Sequence, residues 1–126
     1  MTIYVSGAIT GMPQDNKHAF NNACSQIKRI AKKHGLQTTV KTINPIKIGK
    51  QVRTYFEKYH QRDPEWADYM RSCIKKLCGA DCAYFLPDWA GSDGASLERH
   101  IVKRLGMPCL DTMDDLERIL TKSAGS

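Results

Sequence analysis

Apolar positions change spacing several times along the chain, and each change marks an element. Residues 2–5 are a short β-rich run and predict the first strand. Over residues 17–34, Phe20, Ala23, Cys24, Ile27, Ile30 and Ala31 recur at three- and four-residue spacing. That predicts a helix with one buried face, which Asp15 or Asn16 can cap and Gly35 stops. Residues 36–43 predict a second strand, ended by Asn44-Pro45. Residues 63–78 predict a helix, with Asp63 as cap and Pro64 in its first turn. Trp66, Met70, Cys73, Ile74 and Leu77 share one of its faces, and Asp68 and Ser72 point away. The apolar, aromatic run 82–86 predicts a buried strand that Pro87 ends. A loop of small residues, 88–94, leads to a helix over 95–105 with Leu97, Ile101 and Leu105 at four-residue spacing and Gly106 as its stop. Residues 107–110 predict a short last strand. Thr112 with Asp115 then resembles a capping box for a final helix bearing Met113, Leu116, Ile119 and Leu120. Residues 46–62 fit no single pattern and read as an irregular loop with a helical piece, or as a flap over a cleft.

Strands and helices therefore alternate throughout. Alternation at these lengths predicts an α/β fold with an open parallel sheet of four or five strands flanked by helices, Rossmann- or flavodoxin-like. Residues 1–122 form one expected domain and residues 123–126 a loose tail. No repeat or low-complexity segment is visible.

Composition adds limits. The chain has 126 residues, 41% hydrophobic and 25% charged, which suits one globular core. No apolar run approaches the length of a membrane span and no signal-peptide pattern opens the chain, so a cytoplasmic protein is expected. Cys24, Cys73, Cys78, Cys82 and Cys109 make an odd set and read as reduced, small apolar residues. Their spacing fits no zinc motif, and neither a metal nor a cofactor is expected. The net charge of +6 suits an anionic small molecule or merely a solvated surface. Basic residues gather at Lys28, Arg29, Lys32 and Lys33, and again at Lys41, Lys47, Lys50, Arg53, Lys58 and Arg62. No nucleic-acid reader motif accompanies them, so nucleic acid is not an expected partner.

Candidate chemistry concentrates where strand 82–86 feeds the small-residue loop and the following helix. Open α/β sheets hold ligands at such places, and the free N–H groups of a first helical turn favour an anion. Glu98 is expected in that first turn. It reads either as a carboxylate complementing the helix dipole or as a nucleophile or base at a cleft mouth. The loop 6–14, with Ser6, Gly7, Thr10 and Gly11, follows the first strand and has the composition of a phosphate cradle, but lacks the spacing of known phosphate or dinucleotide loops.

The opening Ile3-Tyr4-Val5-Ser6-Gly7-Ala8-Ile9-Thr10-Gly11, with Asn16, Ala19 and Phe20 behind it, resembles the nucleoside 2-deoxyribosyltransferase superfamily. Asn44-Pro45, Trp66, Tyr69-Met70-Arg71, Asp81, Leu86-Pro87, Trp89, Ser92, Gly94-Ala95, Glu98 and Leu105-Gly106 resemble a phage-associated branch of it. The superfamily also contains 2'-deoxynucleoside 5'-phosphate N-hydrolases. The resemblance implies that Glu98 attacks C1' of a sugar, that Tyr4 orients it, and that the chain acts on a nucleotide or nucleoside as a homodimer or larger homo-oligomer. It implies a substrate site at Ser6, Gly7, Ile9, Thr10, Gly11, Asp88, Trp89, Ser92 and Gly94. Ser92 stands where nucleotide hydrolases carry a phosphate-contacting serine and transferases an aspartate. The family's further aspartate falls on Cys73, which leaves Asp68 or Asp93 to take its catalytic role, or leaves catalysis weak or absent.

Three functions follow as expectations. The first is an N-glycosidase acting on a nucleoside or deoxynucleoside 5'-phosphate. The others are a 2-deoxyribosyltransferase and a non-catalytic binder that sequesters a nucleotide signal.

Overall fold

The computed structural model describes residues 1–124, and side chains through residue 122. Four strands, β1 (Thr2–Ser6), β2 (Lys41–Ile43), β3 (Cys82–Phe85) and β4 (Cys109–Leu110), form one open parallel sheet in the order β2-β1-β3-β4. Five α-helices flank it: α1 (Lys17–Lys33), α2 (Pro45–Tyr59), α3 (Trp66–Cys78), α4 (Asp93–Arg104) and α5 (Met113–Ala124). The α/β expectation holds, with four strands. The central pair β1 and β3 is where the strand order reverses, and ligands of such sheets sit outside the carboxyl ends at that point.

Side-chain alternation along β1 sorts the core into two layers. Ile3 and Val5 face a layer with Phe20, Ala23 and Ile27 of α1 and Leu116 and Leu120 of α5. Tyr4 faces the other, with Ile48, Val52 and Phe56 of α2, Cys73 and Leu77 of α3, and Val102 of α4. Period two also sends Ser6 to the face of Tyr4, one step closer to the carboxyl edge.

Several boundaries differ from the sequence pattern. Residues 46–62 are neither irregular nor a flap, because α2 runs regularly through most of them. Asn44 caps it, accepting the Ile46 N–H at 3.0 Å, and Ile48, Val52 and Phe56 give it a buried stripe at four-residue spacing. The second strand is three residues long, not eight. α3 begins at Trp66, later than Asp63-Pro64, because Glu65 and Asp68 cap it reciprocally. α4 begins earlier than residue 95, because the Ser92 hydroxyl accepts the Ala95 N–H at 3.1 Å. Its buried face is Ala95, Glu98 and Val102, so Leu97 and Leu105 lie exposed instead of forming the expected core stripe. Asn16 precedes α1 with no side-chain cap bond. Of the expected tail, residues 123–124 continue α5, and residues 125–126 lie outside the described residues. Cys78 is exposed, whereas Cys24, Cys73 and Cys82 are buried, and all five thiols are free.

Gly7 closes β1 against the start of the loop after β3. A Cβ there would stand 2.6 Å from Leu86 Cδ1. Gly7→Ala should therefore cost about 1–3 kcal/mol in urea unfolding. Paired with Leu86→Ala, it should cost less than the sum of the two single changes, since the second removes the Cδ1 and Cγ contacts and leaves only Cβ, at 2.9 Å. Additive losses would show that the close approach carries no energy.

Candidate active site

Glu98 lies in the second turn of α4, not the first, and only 5% of its surface is exposed. The helix delivers it over the carboxyl end of β1. Tyr4 Oη donates to Oε2 at 2.5 Å and Ser6 Oγ donates to Oε1 at 2.8 Å. Each carboxylate oxygen thus has a hydroxyl of its own, supplied by alternate residues of one strand. Both donors are fully buried. The carboxylate is fixed in direction by rigid elements rather than by a loop.

Burial governs the titration of this group. It pushes Glu98 up to about 7, against the pull of the Tyr4 and Ser6 hydrogen bonds. Burial and the neighbouring Glu98 and Cys73 raise Tyr4 well above its ordinary value, so it stays a donor. Burial likewise pushes the Cys73 thiol up to about 11, which makes it neutral and unreactive at physiological pH.

Above Glu98 opens a cleft of about 720 Å³, within the range of small-ligand sites. Tyr4, Gly7, Ile9, Thr10 and Gly11 line it from the β1 end, and Ser92, Gly94 and Glu98 line it from α4. The structure therefore gathers most of the residues singled out in the sequence. Four expected residues stand elsewhere. Ser6 is behind Glu98 and holds it, with no surface open to a ligand. Asp88 is a clamp: Oδ1 accepts the Ala8 N–H at 3.1 Å and Oδ2 accepts Asn16 Nδ2 at 2.9 Å, tying the two loops together. Trp89 is absent from the lining and lies beneath the Arg99 guanidinium, 4.1 Å from the ring centre. Asp68 also does not line the cleft, because it caps α3 and binds Arg62 at 2.9 Å on the outer surface. It is unsuited to a catalytic role.

Other lining residues were not singled out as ligand contacts. Cys73 lines the wall beside Tyr4, and Trp66, Tyr69 and Met70 of α3 complete that wall. Arg53 comes from α2, and four-residue apolar spacing from Ile48 to Phe56 was the available signal that this segment is a helix with a flanking face. Asp93 opens α4. Asp15 sits in a turn where Gln14, Asp15 and Asn16 have φ of 50°, 56° and 60°. Three successive left-handed non-glycine residues store strain, and the Asn16–Asp88 clamp fastens the end of that turn.

Residues 1–111 match a family described as a domain of unknown function, DUF4406. The chain belongs to that family. No curated protein and no solved structure gives a match to it. No helix among the described residues is long and apolar enough to cross a membrane.

The raised Glu98 sets a pH dependence of stability. The unfolded carboxyl ionises near 4.5 and the folded one near 7, so the native state holds more protons between those values. Stability must fall as pH rises from about 4.5 to about 7 and stay reduced above, by on the order of 3 kcal/mol. Asp111, lowered by Arg99, and Glu117, lowered by His34 and Lys33, act at lower pH with the opposite sign. Urea titrations at pH 5 and pH 8 should show this loss in the parent chain and not in Glu98→Gln. Parallel curves for the two proteins would place the Glu98 ionisation elsewhere.

Proposed function

We propose that this protein is an N-glycosidase that cleaves the base from a nucleoside or deoxynucleoside 5'-phosphate, with Glu98 as nucleophile. The observation that carries the reading is one buried carboxylate, held on both oxygens by Tyr4 and Ser6, at the floor of an open cleft. A surface carboxylate complementing a helix dipole needs neither burial nor two hydroxyl donors. The resemblance to nucleoside 2-deoxyribosyltransferases supplies the substrate class.

The chemistry runs in two steps. Ionised Glu98 attacks C1' of the sugar as the C1'–N bond breaks, and the electron pair leaves with the base. Asp93 lines the cleft and holds the water that protonates the leaving base, a place that Asp68, outside the lining and bound to Arg62, does not have. The hydroxide left by that proton transfer then attacks C1' and restores the Glu98 carboxylate. Tyr4 and Ser6 keep Glu98 aimed and take up its charge when the ester is released.

Chromatography of base released from purine and pyrimidine nucleoside 5'-phosphates tests this. Glu98→Gln should reduce turnover by at least about a thousandfold while still binding substrate. Tyr4→Phe removes one charge-assisted hydrogen bond and should cost about 10- to 100-fold. In the free protein kcat/KM should rise with pH through about 7, because the nucleophile must be ionised. Equal turnover by Glu98→Gln and the parent would sink the glycosidase. Base exchange without net hydrolysis would make the protein a transferase.

A non-catalytic nucleotide binder is the second reading, and Cys73 favours it: a neutral thiol stands where the resembled family carries an aspartate. Tight retention of intact nucleotide by the parent would support that reading. The proposed assembly is a homodimer, with exposed Leu97 and Leu105 of α4 and Trp66 of α3 as the apolar surface available to a second copy. Sedimentation at micromolar concentration should show a dimer that Leu97→Lys weakens, and a monomeric parent would remove it.

A further inference from the structure

The chain carries a net charge of +6, yet among the described residues Arg53 is the one lysine or arginine that lines the cleft. The other charged lining residues are Asp15, Asp93 and Glu98. The cleft is therefore polarised, acidic toward the turn before α1 and the start of α4, basic toward α2. An anion would meet Asp93 at the α4 N-terminus and a free cation at Arg53. Arg62, Arg99 and Arg118 are each engaged by a carboxylate, at 2.9, 2.7 and 3.4 Å, whereas Arg53 pairs with none among the described residues.

Arg53 also lines a second cavity of about 530 Å³ on the α2 side, which shares Tyr69 with the cleft. Lys50, three residues earlier on α2 and on the same helix face, lines that cavity with Arg62. Lys50 and Arg53 are its unpaired cations among the described residues, beside Glu57 and Asp63, while Arg62 is held by Asp68. Arg53 and Tyr69 thus stand at the border between two compartments, with room on either side.

We infer that the ligand spans both compartments: a nucleoside rests in the cleft against Glu98, a diphosphate bridge lies on Arg53, and the group beyond the bridge occupies the second cavity. The guanidinium fork matches two phosphate oxygens, and the Tyr69 ring flanks the passage. The substrate class is a nucleoside diphosphate whose distal phosphate carries a further group, as in a pyrophosphate-linked dinucleotide. This rests on the glycosidase reading for the placement of the sugar at Glu98, and it moves the phosphate from Ser92 to Arg53.

Calorimetry on the Glu98→Gln protein, which does not consume ligand, separates the parts. The probes are adenosine, its 5'-monophosphate and diadenosine diphosphate, with the cytidine set alongside. The dinucleotide should bind at least tenfold tighter than the monophosphate in one of the two sets. Adding Arg53→Gln should weaken the dinucleotide tenfold or more and leave the nucleoside unchanged. Adding Thr54→Trp, which fills the second cavity from outside the cleft, should bring the dinucleotide down to the level of the monophosphate. Equal affinity for dinucleotide and monophosphate, no effect of Thr54→Trp, or no dinucleotide binding in either set overturns the inference. Incubation of the same dinucleotide with the parent chain keeps the two readings apart. Tight binding without base release removes the glycosidase and leaves the extended ligand; base release from monophosphates with no preference for the dinucleotide does the reverse.

Discussion

A carboxylate taken out of water is costly as an anion unless hydrogen bonds reach both of its oxygens. Glu98 meets that condition through Tyr4 and Ser6. Much of the local architecture follows from it. β1 must run straight to its carboxyl end so that alternate residues present both hydroxyls on one face. α4 must start at Ser92 so that its second turn, and not its first, passes over that edge. Ala83, paired in register with Tyr4 on the neighbouring strand, is small enough to leave the phenol room in the sheet face. The result is an ionisable group poised near neutrality by burial and then steadied by two donors.

The loops around Glu98 are held by polar bonds of their own. Asp88, at the end of the β3 segment, reaches across to Ala8 and Asn16. That clamp fixes the left-handed turn that carries Asp15 into the cleft. Asp81 does a similar service at the opposite edge, where its carboxylate accepts the Thr2 N–H at 2.7 Å and sets the register of β1 beside β3. Arg99 is bound at 2.7 Å by Asp111 and stacked on Phe85 and Trp89, so α4 is fastened to the sheet on the side away from the cleft. Fastening on both sides leaves Glu98 little freedom.

Charge distribution is the second organising fact. Most of the basic residues are exposed on α1, α2 and their flanks, and they give the surface its sign without entering the cleft. Inside it, one arginine faces three acidic residues. An anionic group entering this field is drawn toward α2 and away from the acidic start of α4 before it makes any contact.

The sequence by itself determined the fold class, because alternation of strand and helix patterns leaves few arrangements other than a parallel sheet with helices on both faces. It determined α1 almost to the residue and the start of α5, since their buried faces pack directly on the sheet and their apolar spacing records it. It also pointed to Glu98 and Tyr4, through the resemblance of their motifs to a known family. Only the tertiary structure decided what each polar residue does. Ser6, Asp88 and Ser92 look alike as loop polar residues. Yet the first supports the carboxylate, the second ties loops together, and the third caps a helix while facing the cleft. The partners of Ser6 and Asp88 are tens of residues away in the chain, and no local pattern encodes such pairings. The same holds for the face of α4. Leu97, Ile101 and Leu105 make the more apolar stripe, but the cap at Ser92 and the hydroxyls of β1 turn Glu98 inward and leave Leu97 and Leu105 outside. A buried charge with two donors waiting for it outweighed the local hydrophobic pattern, and that outcome becomes visible only when strand and helix are brought together.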